Sequence, residues 1–538
     1  MKIFTRWTRP QSLGVVATFL ALAAVAFAAS AVGETVTIDT PAGPITGIRD
    51  INVNQFLGVP YAEPPVGDLR WAPPVPKAVG AINATAFQPG CPQKCELPPG
   101  TCPEVMAEDC LYLDLFVPFW AKPTSKLAVM VFLPGGRFEQ GGIPTSLYSG
   151  NFFVNDTQVI LVNAAYRLGA LGWLVTDGGI EGNFGFMDQV LVLEWVQKNI
   201  EAFGGDPENV MLFGQSAGGT STTVHLTAAN AGDSNLFAKV VIESNPFSLL
   251  MKPTKMAQKT GKNFAKAGGC ESTDTACLRG LPVAKVMEAQ IAAQQKIDYL
   301  KFLTAFYPWT PTVDGKLFTK QPIEAILAGE FKKVPAMLGS VYNEGLLFIY
   351  QAWNHTLPAW EYDALIVDVF NTRAPAILKE YPALKGGVDN RDNIAHMVTQ
   401  FIFTCPARAT ARAFAKAGMP TYLYQFDHVI GHDIWGPEFP YCVDKVCHGE
   451  ELPFVFSSGS EFFTQPELEL STQMATSWAT FAKTSDPNAA DTPLKWPQYD
   501  PNTKLNMHFA TPSSIQSDLW AAECDKWDEW GYIYDLGH

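Results

Sequence analysis

A serine on a glycine-rich turn is the sequence feature that most restricts the fold of this chain. The apolar run 210–213 predicts a buried strand, and it leads into Gly214-Gln215-Ser216-Ala217-Gly218. Residues 219–225 can continue as a helix. A G-x-S-x-G turn between a strand and a helix holds its serine in a strained position, and its glycines let the neighbouring backbones approach. Ser216 is therefore a candidate covalent nucleophile, provided that the chain also supplies a base, an acid and an oxyanion hole.

Strand-like and helix-like segments alternate along the rest of the chain. Apolar patterns predict strands around Val36 and Ile38 and over 111–117, 127–133, 159–165, 238–243 and 422–426, and helices over 189–200 and 468–483. This alternation predicts an α/β layer fold with a mostly parallel sheet. Because no repeat, low-complexity tract or interdomain linker interrupts the pattern, we expect one large domain over residues 32–538.

Residues 1–31 have the layout of a secretory signal peptide. Lys2, Arg6 and Arg9 precede an uncharged apolar run over 12–29, and small residues follow at 29–31. An uncleaved signal anchor is the alternative, because the run is about as long as a short transmembrane helix. We expect cleavage, export and a mature protein with no membrane span. The net charge of −15, with no basic run beyond the N-terminus, disfavours nucleic acid and anionic membranes as partners.

The ten cysteines suit an oxidising compartment, in which they can pair. The spacing leaves open the pairing of four that cluster in a Pro-rich loop: Cys91, Cys95, Cys102 and Cys110. The other six are assigned to two small loops and one long-range pair: Cys270 with Cys277, Cys442 with Cys447, and Cys405 with Cys524. The sequons at Asn83, Asn155 and Asn354 are candidate glycosylation sites.

Two clusters offer metal sites as alternatives. Cys442 and Cys447 precede His448, and His428 and His432 lie four residues apart between acidic neighbours. We expect no metal at either, because exported cysteines usually oxidise and the two histidines straddle a strand end and a loop. His448 follows a predicted disulfide and precedes Gly449, as a histidine on a constrained loop would.

Longer blocks of sequence specify the kind of protein. They are 56–62 (FLGVPYA) with Gly67 and Arg70, 108–115 (EDCLYLDL), 183–207, and 203–218 with the serine. In this order they resemble the type-B carboxylesterase/lipase family, the group that includes the cholinesterases. The resemblance extends from about residue 56 to the C-terminus. It implies an α/β-hydrolase fold, with a large and mostly parallel sheet flanked by helices. For the loop cysteines it implies a Cys91–Cys110 pair, with Cys95–Cys102 as a second crosslink.

The resemblance also implies a Ser-Glu-His triad. Residues 339–345 (GSVYNEG) resemble the acid loop, which assigns the carboxylate to Glu344, and 448–452 (HGEEL) resemble the histidine loop. The acid and the histidine follow the serine in the order usual for α/β-hydrolases. His448 would take the proton of Ser216 and return it to the leaving alcohol, while Glu344 would fix the imidazole tautomer. Ser244 and Glu451 match positions behind the triad.

The chain departs from the family at the predicted oxyanion hole. Backbone N–H groups of Gly136, Arg137 and Ala217 are its candidate donors, but Arg137 stands where the family usually has the third glycine of a run. An arginine keeps its N–H, while its Cβ restricts the turn and its charge can narrow or polarise the pocket. Gln215 also replaces the glutamate often found before the serine, which removes a negative charge beside the nucleophile.

These departures bear on the substrate. The loop 91–110 contains no Trp, so the aromatic ring that binds choline in cholinesterases is missing, and the loop is too short for a large moving lid. We therefore expect a carboxylesterase of small to medium, fairly apolar esters that needs no cofactor. Two alternatives remain: a catalytically silent member used for adhesion or as a secreted structural protein, for which Arg137 is the argument, and a lipase.

Overall fold

The computed structural model describes residues 33–98, 100–297, 302–490, 492–534 and 536. The predicted signal peptide at 1–31 lies outside these residues. The strands of the described part, in chain order, are β1 Thr35–Thr40, β2 Gly43–Asp50, β3 Val53–Pro60, β4 Ile82–Asn83, β5 Tyr112–Pro118, β6 Leu127–Leu133, β7 Ile160–Ala164, β8 Gly205–Gln215, β9 Lys239–Glu243, β10 Lys252–Pro253, β11 Thr312–Val313, β12 Ala336–Val341, β13 Thr421–Phe426, β14 Leu505–Phe509 and β15 Ser514–Ser517.

One large sheet runs through the described part of the molecule. Its strand order is β1-β2-β3-β5-β7-β6-β8-β9-β12-β13-β14-β15, with β4 paired to β2. The central pairs from β7 to β14 are parallel, as is the short β2–β4 pair. The pairs that lead from β1 to β7 and the final β14–β15 pair are antiparallel. Central strand β6 is apolar along its length, and β9 is buried at all five positions with an apolar centre between Lys239 and Glu243, as a parallel sheet covered by helices on both faces requires.

Helices cover the sheet and form its connections. They are α1 Asn151–Thr157, α2 Gly169–Trp173, α3 Phe184–Asn199, α4 Ala217–Thr227, α5 Thr254–Gly268, α6 Thr275–Arg279, α7 Val283–Gln294, α8 Phe302–Phe306, α9 Pro322–Leu327, α10 Glu344–Ala352, α11 Ala359–Phe370, α12 Ala374–Glu380, α13 Arg391–Val398, α14 Cys405–Lys416, α15 Leu452–Val455, α16 Gln465–Thr484 and α17 Ala521–Trp530. A π-helical segment, Thr399–Thr404, joins α13 to α14. Among the described helices, none is long and apolar enough to cross a membrane.

The predicted α/β fold is confirmed, and the predicted elements differ from the structure mainly at their ends. The strand predicted over 127–133 is β6 without a shift, and that over 159–165 is β7, one residue shorter at each end. Helix α3 begins at Phe184, five residues before the prediction, because its first turn is apolar and buried and carries no polar face to mark it. Strand β8 likewise extends back to Gly205, beyond the apolar run that predicted it.

Candidate active site

Ser216 lies at the sharp turn between β8 and α4. Its φ of 57° and ψ of −120° place it in a backbone conformation that residues other than glycine rarely adopt. The turn is held by hydrogen bonds from Ser216 N to Glu243 O, at 2.9 Å, and from Thr220 N to Ser216 O, at 2.8 Å. The serine therefore projects from the end of the central sheet at the N-terminus of a helix, whose positive dipole end favours developing negative charge.

Steric contact with β6 requires a glycine at position 218. A Cβ built on Gly218 would lie 1.9 Å from Leu133 O, the last carbonyl of β6, and no flexible side chain there can move away. The start of α4 therefore packs directly against the end of β6. This close contact sets the distance between Ser216 and the turn that follows β6, which carries two of the predicted oxyanion donors.

His448 and Glu344 are in direct contact, as a triad requires. The Nδ1 atom of His448 is hydrogen-bonded to Glu344 Oε2, and the other carboxylate oxygen accepts from Val341 N at 2.9 Å. Glu344 is fully buried at the first position of α10, where the helix dipole favours its negative charge. With Nδ1 donating to the carboxylate, Nε2 presents a lone pair and can act as a base.

The acid and histidine loops are tied to one another and packed in aromatic rings. Asn343 N donates to Val446 O at 2.9 Å, and Val446 N donates to Asn343 Oδ1 at 3.1 Å. The imidazole of His448 packs against Phe348, with ring centroids 4.8 Å apart, and against Phe403, at 5.3 Å. Phe403 belongs to the π-helical segment, so this irregular turn supplies one wall of the imidazole's site.

Gln215, rather than Ser216, contacts the basic nitrogen of His448. The distance from Gln215 Nε2 to His448 Nε2 is 3.1 Å, and both side chains are buried. Within the described residues, no hydrogen bond joins Ser216 Oγ to His448. Since Nε2 is an acceptor when Nδ1 donates to Glu344, the amide of Gln215 is the donor in this contact.

The predicted oxyanion turn is built with three successive positive φ angles. They are 114° at Gly136, 58° at Arg137 and 62° at Phe138. A Cβ on Gly136 would lie 2.0 Å from Gln140 O, so glycine is required there. Gly136 and Arg137 line the same cavity as Ser216, while Ala217 is the first residue of α4. The sequence-predicted donors are thus brought to one place, with Arg137 held in a conformation that is costly for a residue with a Cβ.

The arginine side chain contacts two acidic neighbours and one aromatic ring. Its guanidinium lies 3.5 Å from Glu96 and 3.9 Å from Glu139, and 5.6 Å from the ring centroid of Phe306. Burial raises the pKa of Glu139 to about 7, while Arg137 and Lys252 oppose that rise. One-fifth of the Arg137 side chain remains exposed. The charge therefore forms part of the pocket wall instead of filling the pocket.

Two buried glutamates follow the histidine. Burial raises the pKa of Glu450 to about 8, although it accepts hydrogen bonds from Cys447 N and the indole of Trp435. Burial, together with the charges of Glu344 and Glu243, raises the pKa of Glu451 well above its ordinary value. Glu451 accepts from Ser244 Oγ at 3.2 Å, which brings together the two residues that the sequence places behind the triad.

Ser216, His448 and the glycine turn open into one cavity of about 510 Å³. Its wall is mainly apolar and includes Leu97, Leu147, Phe348, Trp435 and Phe462. Charged groups occur as Arg137 beside the turn and as Asp433 and Glu461 among the lining residues. The volume lies within the range of pockets for small organic ligands, in which a few polar groups orient an otherwise apolar molecule.

The structure contains five disulfides, and their pairing matches the one expected: Cys91–Cys110, Cys95–Cys102, Cys270–Cys277, Cys405–Cys524 and Cys442–Cys447. The last bond uses both sulfurs that a metal site beside His448 would need. His428 binds Glu467 and His432 stacks on Phe462, so these two histidines do not converge. Among the described residues, no group of three or more His, Cys, Asp or Glu side chains is placed to hold a metal.

Several residues that shape the site were not singled out from the sequence. Glu96 and Phe306 lie far from Arg137 in the chain, and Phe403 carries no motif. Glu450 had a signal in the HGEEL block, where two adjacent acids follow the histidine, but nothing there shows which of them contacts the loop. The three sequon asparagines, Asn83, Asn155 and Asn354, are all exposed.

Comparisons with known proteins agree with this geometry. The model of the carboxylesterase family matches residues 34–527. The cAMP-regulated D2 protein of Dictyostelium discoideum is 38% identical over 472 residues, which cover 85% of this chain and 86% of that protein. The para-nitrobenzyl esterase of Bacillus subtilis is 32% identical over 503 residues, covering 89% and 96%. A solved PNB esterase structure, 30% identical, aligns with a TM-score of 0.77 over 92% of this chain and 99% of that one.

The family match spans nearly all of the described chain, and the esterase relatives share its α/β-hydrolase fold. The chain therefore belongs to the type-B carboxylesterase family and is a carboxylic ester hydrolase.

Proposed function

We propose that this protein hydrolyses its esters by covalent catalysis, with Ser216 as nucleophile, His448 as base and Glu344 as the group that orients the imidazole. The observation that carries the proposal is the single cavity onto which Ser216, His448 and the turn at Gly136 open. The proton of Ser216 Oγ moves to His448 Nε2 as Oγ attacks the ester carbonyl, and His448 then returns it to the leaving alcohol. Water attacks the acyl-enzyme in the second half of the reaction.

The backbone N–H groups of Gly136, Arg137 and Ala217 bind the oxyanion in this proposal. The N-terminus of α4 adds its positive dipole end at the same place. Gln215, Ser244 and Glu451 act through the histidine: Gln215 touches Nε2, and the Ser244–Glu451 pair lies behind the His448–Glu344 pair.

We propose that the substrates are esters with small to medium, fairly apolar acyl and alcohol groups. The apolar wall supports this, as does the rim, where Leu97, Pro98, Gly100 and Thr101 belong to the loop closed by the Cys95–Cys102 disulfide. This disulfide closes the loop at a sequence separation of 7, which leaves too little chain for the large moving lid of a lipase. Asp433 and Glu461 in the lining disfavour anionic esters.

We also propose that residues 32–538 form one domain and that the protein is exported, with glycans at the exposed asparagines 83, 155 and 354. Five disulfides support the export, since such bonds persist in oxidising compartments. The continuous sheet supports the single domain.

The test of the substrate class is hydrolysis of p-nitrophenyl esters of increasing acyl length by the purified mature protein. We expect kcat/KM to rise from acetyl to medium acyl chains and then to fall as the chain outgrows the cavity. Emulsified long-chain triacylglycerol serves as the comparison substrate. Faster hydrolysis of the emulsion than of the soluble esters would contradict the proposal and favour a lipase.

A second candidate function is supported by one observation, the positive φ of Arg137 in the oxyanion turn. A strained turn that cannot align its N–H groups would lose about 3 kcal/mol of transition-state stabilisation per donor. The protein would then act by binding, in adhesion or as a secreted structural protein. Absence of turnover on every ester, in a folded protein with intact disulfides, is the result that this candidate predicts.

A further inference from the structure

The side chain of Gln215 spans the space between the oxyanion turn and the histidine loop. A Cβ built on Gly135 would lie 2.8 Å from Gln215 Oε1, and one built on Gly449 would lie 3.6 Å from Gln215 Nε2. Both positions are glycine, so the amide fits between them. With only 4% of the residue exposed, the amide has little room to turn elsewhere.

This placement directs the amide nitrogen at the one atom through which the histidine acts. Nε2 of His448 carries the lone pair that must receive the proton of Ser216, and Gln215 Nε2 lies 3.1 Å from it. A lone pair that accepts from the amide is not available to the serine hydroxyl. Ser216 Oγ accordingly makes no hydrogen bond to His448 in the described part of the chain.

We propose that Gln215 is a positioning residue that competes with Ser216 for His448 Nε2 and holds the imidazole neutral until substrate arrives. The proposal rests on the catalytic roles of Ser216 and His448 given above. An amide N–H can donate only to a neutral Nε2, so the contact disappears when that nitrogen is protonated. The contact thus favours the basic form of the histidine and at the same time restrains the nucleophile.

The competition also defines what productive binding must do. A substrate that enters the cavity has to displace the amide from Nε2, so that Ser216 Oγ–H donates there and the proton passes to the imidazole as the Oγ–carbon bond forms. A half-turn of the amide about its last side-chain bond keeps it in the same space and directs Oε1 at the imidazolium, which has become a donor. Gln215 lies beside the leaving alcohol at this stage, because that alcohol receives its proton from the same Nε2.

Other charged or titratable groups lie near the imidazole and stay unchanged in the test. Glu344 contacts it from α10, Glu450 and Glu451 follow it in its own loop, and Arg137, His432, Asp433 and Glu461 line the shared cavity. Replacement of Gln215 alone therefore reports the contribution of its amide.

The test uses Gln215→Met, which keeps the length of the side chain but lacks the N–H, and Gln215→Glu, which places a carboxylate beside Nε2. The acid limb of the kcat/KM profile is expected to move to higher pH by about half to one pH unit in the Met variant, and by one or more in the Glu variant. On the alkaline plateau, Ser216 of the Met variant is expected to react about two- to tenfold faster with a fluorophosphonate, because no amide competes for Nε2.

The matched control is Gln465→Met. Gln465 Nε2 donates to Glu469 Oε1, also at 3.1 Å, on the exposed side of α16 and away from the cavity. We expect the rate profile of this variant to coincide with that of the wild type. A Gln215→Met profile that superimposes on the wild type, or a plateau that falls in rate with no movement of the acid limb, would overturn the proposal and leave Gln215 a structural role.

An NMR titration separates failure of this proposal from failure of the proposed function. The downfield proton on Nδ1 of His448, assigned by its loss in His448→Gln, reports imidazole protonation whether or not the protein turns over an ester. Titration midpoints that rise from the wild type to Gln215→Met and then to Gln215→Glu support the role of Gln215 even in an inactive protein. Equal midpoints contradict it even in an active one.

Discussion

Two places in the described part of the molecule bring together a hydroxyl, an imidazole and a glutamate. One is the cavity with Ser216, His448 and Glu344. The other lies at the edge of the sheet, where His428 Nε2 is 3.2 Å from Glu467 Oε1 and His428 Nδ1 is 3.0 Å from Thr511 Oγ1. By composition the second group would qualify as a triad, so their differences show what the chemistry requires beyond the three residue types.

The two carboxylates are used differently. One oxygen of Glu344 accepts a hydrogen bond from His448, and the other accepts from a single backbone N–H, that of Val341. Glu467 also accepts from Gly431 N, Thr464 N and Thr464 Oγ1, in a capping box that begins α16. Burial raises the pKa of Glu467, but these hydrogen bonds outweigh burial and lower it to about 2. Its contact with the histidine is therefore part of a helix cap.

The two hydroxyls also differ in their backbones. Ser216 lies on a strained turn at the N-terminus of α4 and faces a cavity with a glycine turn opposite. Thr511 lies in the bend between β14 and β15, before Pro512, and begins no helix. A hydroxyl placed there has no positive dipole end and no glycine turn to stabilise an oxyanion. Position relative to backbone donors, rather than the presence of a His–Glu pair, distinguishes the two.

The strongest effect is expected where the two carboxylates differ. Glu344→Gln should lower kcat about 10⁴-fold, because the amide no longer fixes the tautomer or stabilises the imidazolium. Glu467→Gln should leave kcat within about threefold, yet weaken the cap of α16, which is typically worth about 1 kcal/mol. Steady-state kinetics and thermal melts of both variants provide the measurement. Similar losses of kcat in both would show that the two pairs are not distinct in function.

The next effect concerns the glycine turn that only the first site possesses. Arg137→Gly keeps the backbone N–H and relieves a left-handed backbone conformation, so kcat for a small ester should change by less than about fivefold. Removal of the guanidinium widens the wall, and KM for bulkier esters should fall. A rise of kcat by about 10²-fold or more would instead mean that Arg137 had disabled the oxyanion donors of the native turn. Arg412→Gly, which removes a surface ion pair with Asp528, is the control.

The weakest effects compare two buried glutamates through the pH dependence of stability. The folded pKa of Glu450 is raised to about 8, so its contribution is complete below the ordinary value near 4.5 and is lost as the pH rises from there to 8. The folded pKa of Glu467 is lowered to about 2. Its contribution to the free energy of unfolding is therefore complete above pH 4.5 and is lost as the pH falls toward 2.

Glu450→Gln should therefore reduce the fall in apparent Tm that occurs as the pH rises from 4.5 to 8. Glu467→Gln should reduce the fall in apparent Tm that occurs as the pH drops from 4.5 to 2. Thermal melts across both windows provide the measurement, with each variant as the control for the other. A Glu450→Gln variant that loses stability on the acid side instead would show that the carboxyl is ionised in the folded protein.

Much of this architecture could be predicted from local sequence. The apolar run before Gly214 predicted β8, and the spacing of small residues around Ser216 predicted the elbow, because both depend on neighbours in the chain. Assignment of Glu344 needed the family resemblance, since an isolated glutamate carries no such signal, whereas His448 had a local signal in the predicted disulfide before it and in Gly449 after it. Helix α3 was predicted, but its first residue was not. Its first turn is buried and apolar on all sides, so the sequence there lacks the alternation of polar and apolar faces that indicates a helix.

The electrostatics of the site could not be predicted from sequence. Arg137 was recognised as a departure, yet two of its partners, Glu96 and Phe306, reach it from other segments, and only Glu139 is close in the chain. The sequence likewise shows that Gln215 precedes the serine. Its amide contacts Nε2 only because Gly135 and Gly449, far apart in the chain, meet on either side of it. Such contacts follow from the packing of distant loops.

Of the two hydroxyls that lie near a histidine and a glutamate, Ser216, and not Thr511, is expected to be an activated nucleophile. Labelling of the purified protein with a fluorophosphonate probe, with Ser216→Ala and Thr511→Ala in parallel, is the decisive measurement. We expect the wild type and Thr511→Ala to label equally and Ser216→Ala not to label at all. A folded wild-type protein that does not react, or one whose label remains in Ser216→Ala, would contradict the assignment of Ser216 as the nucleophile.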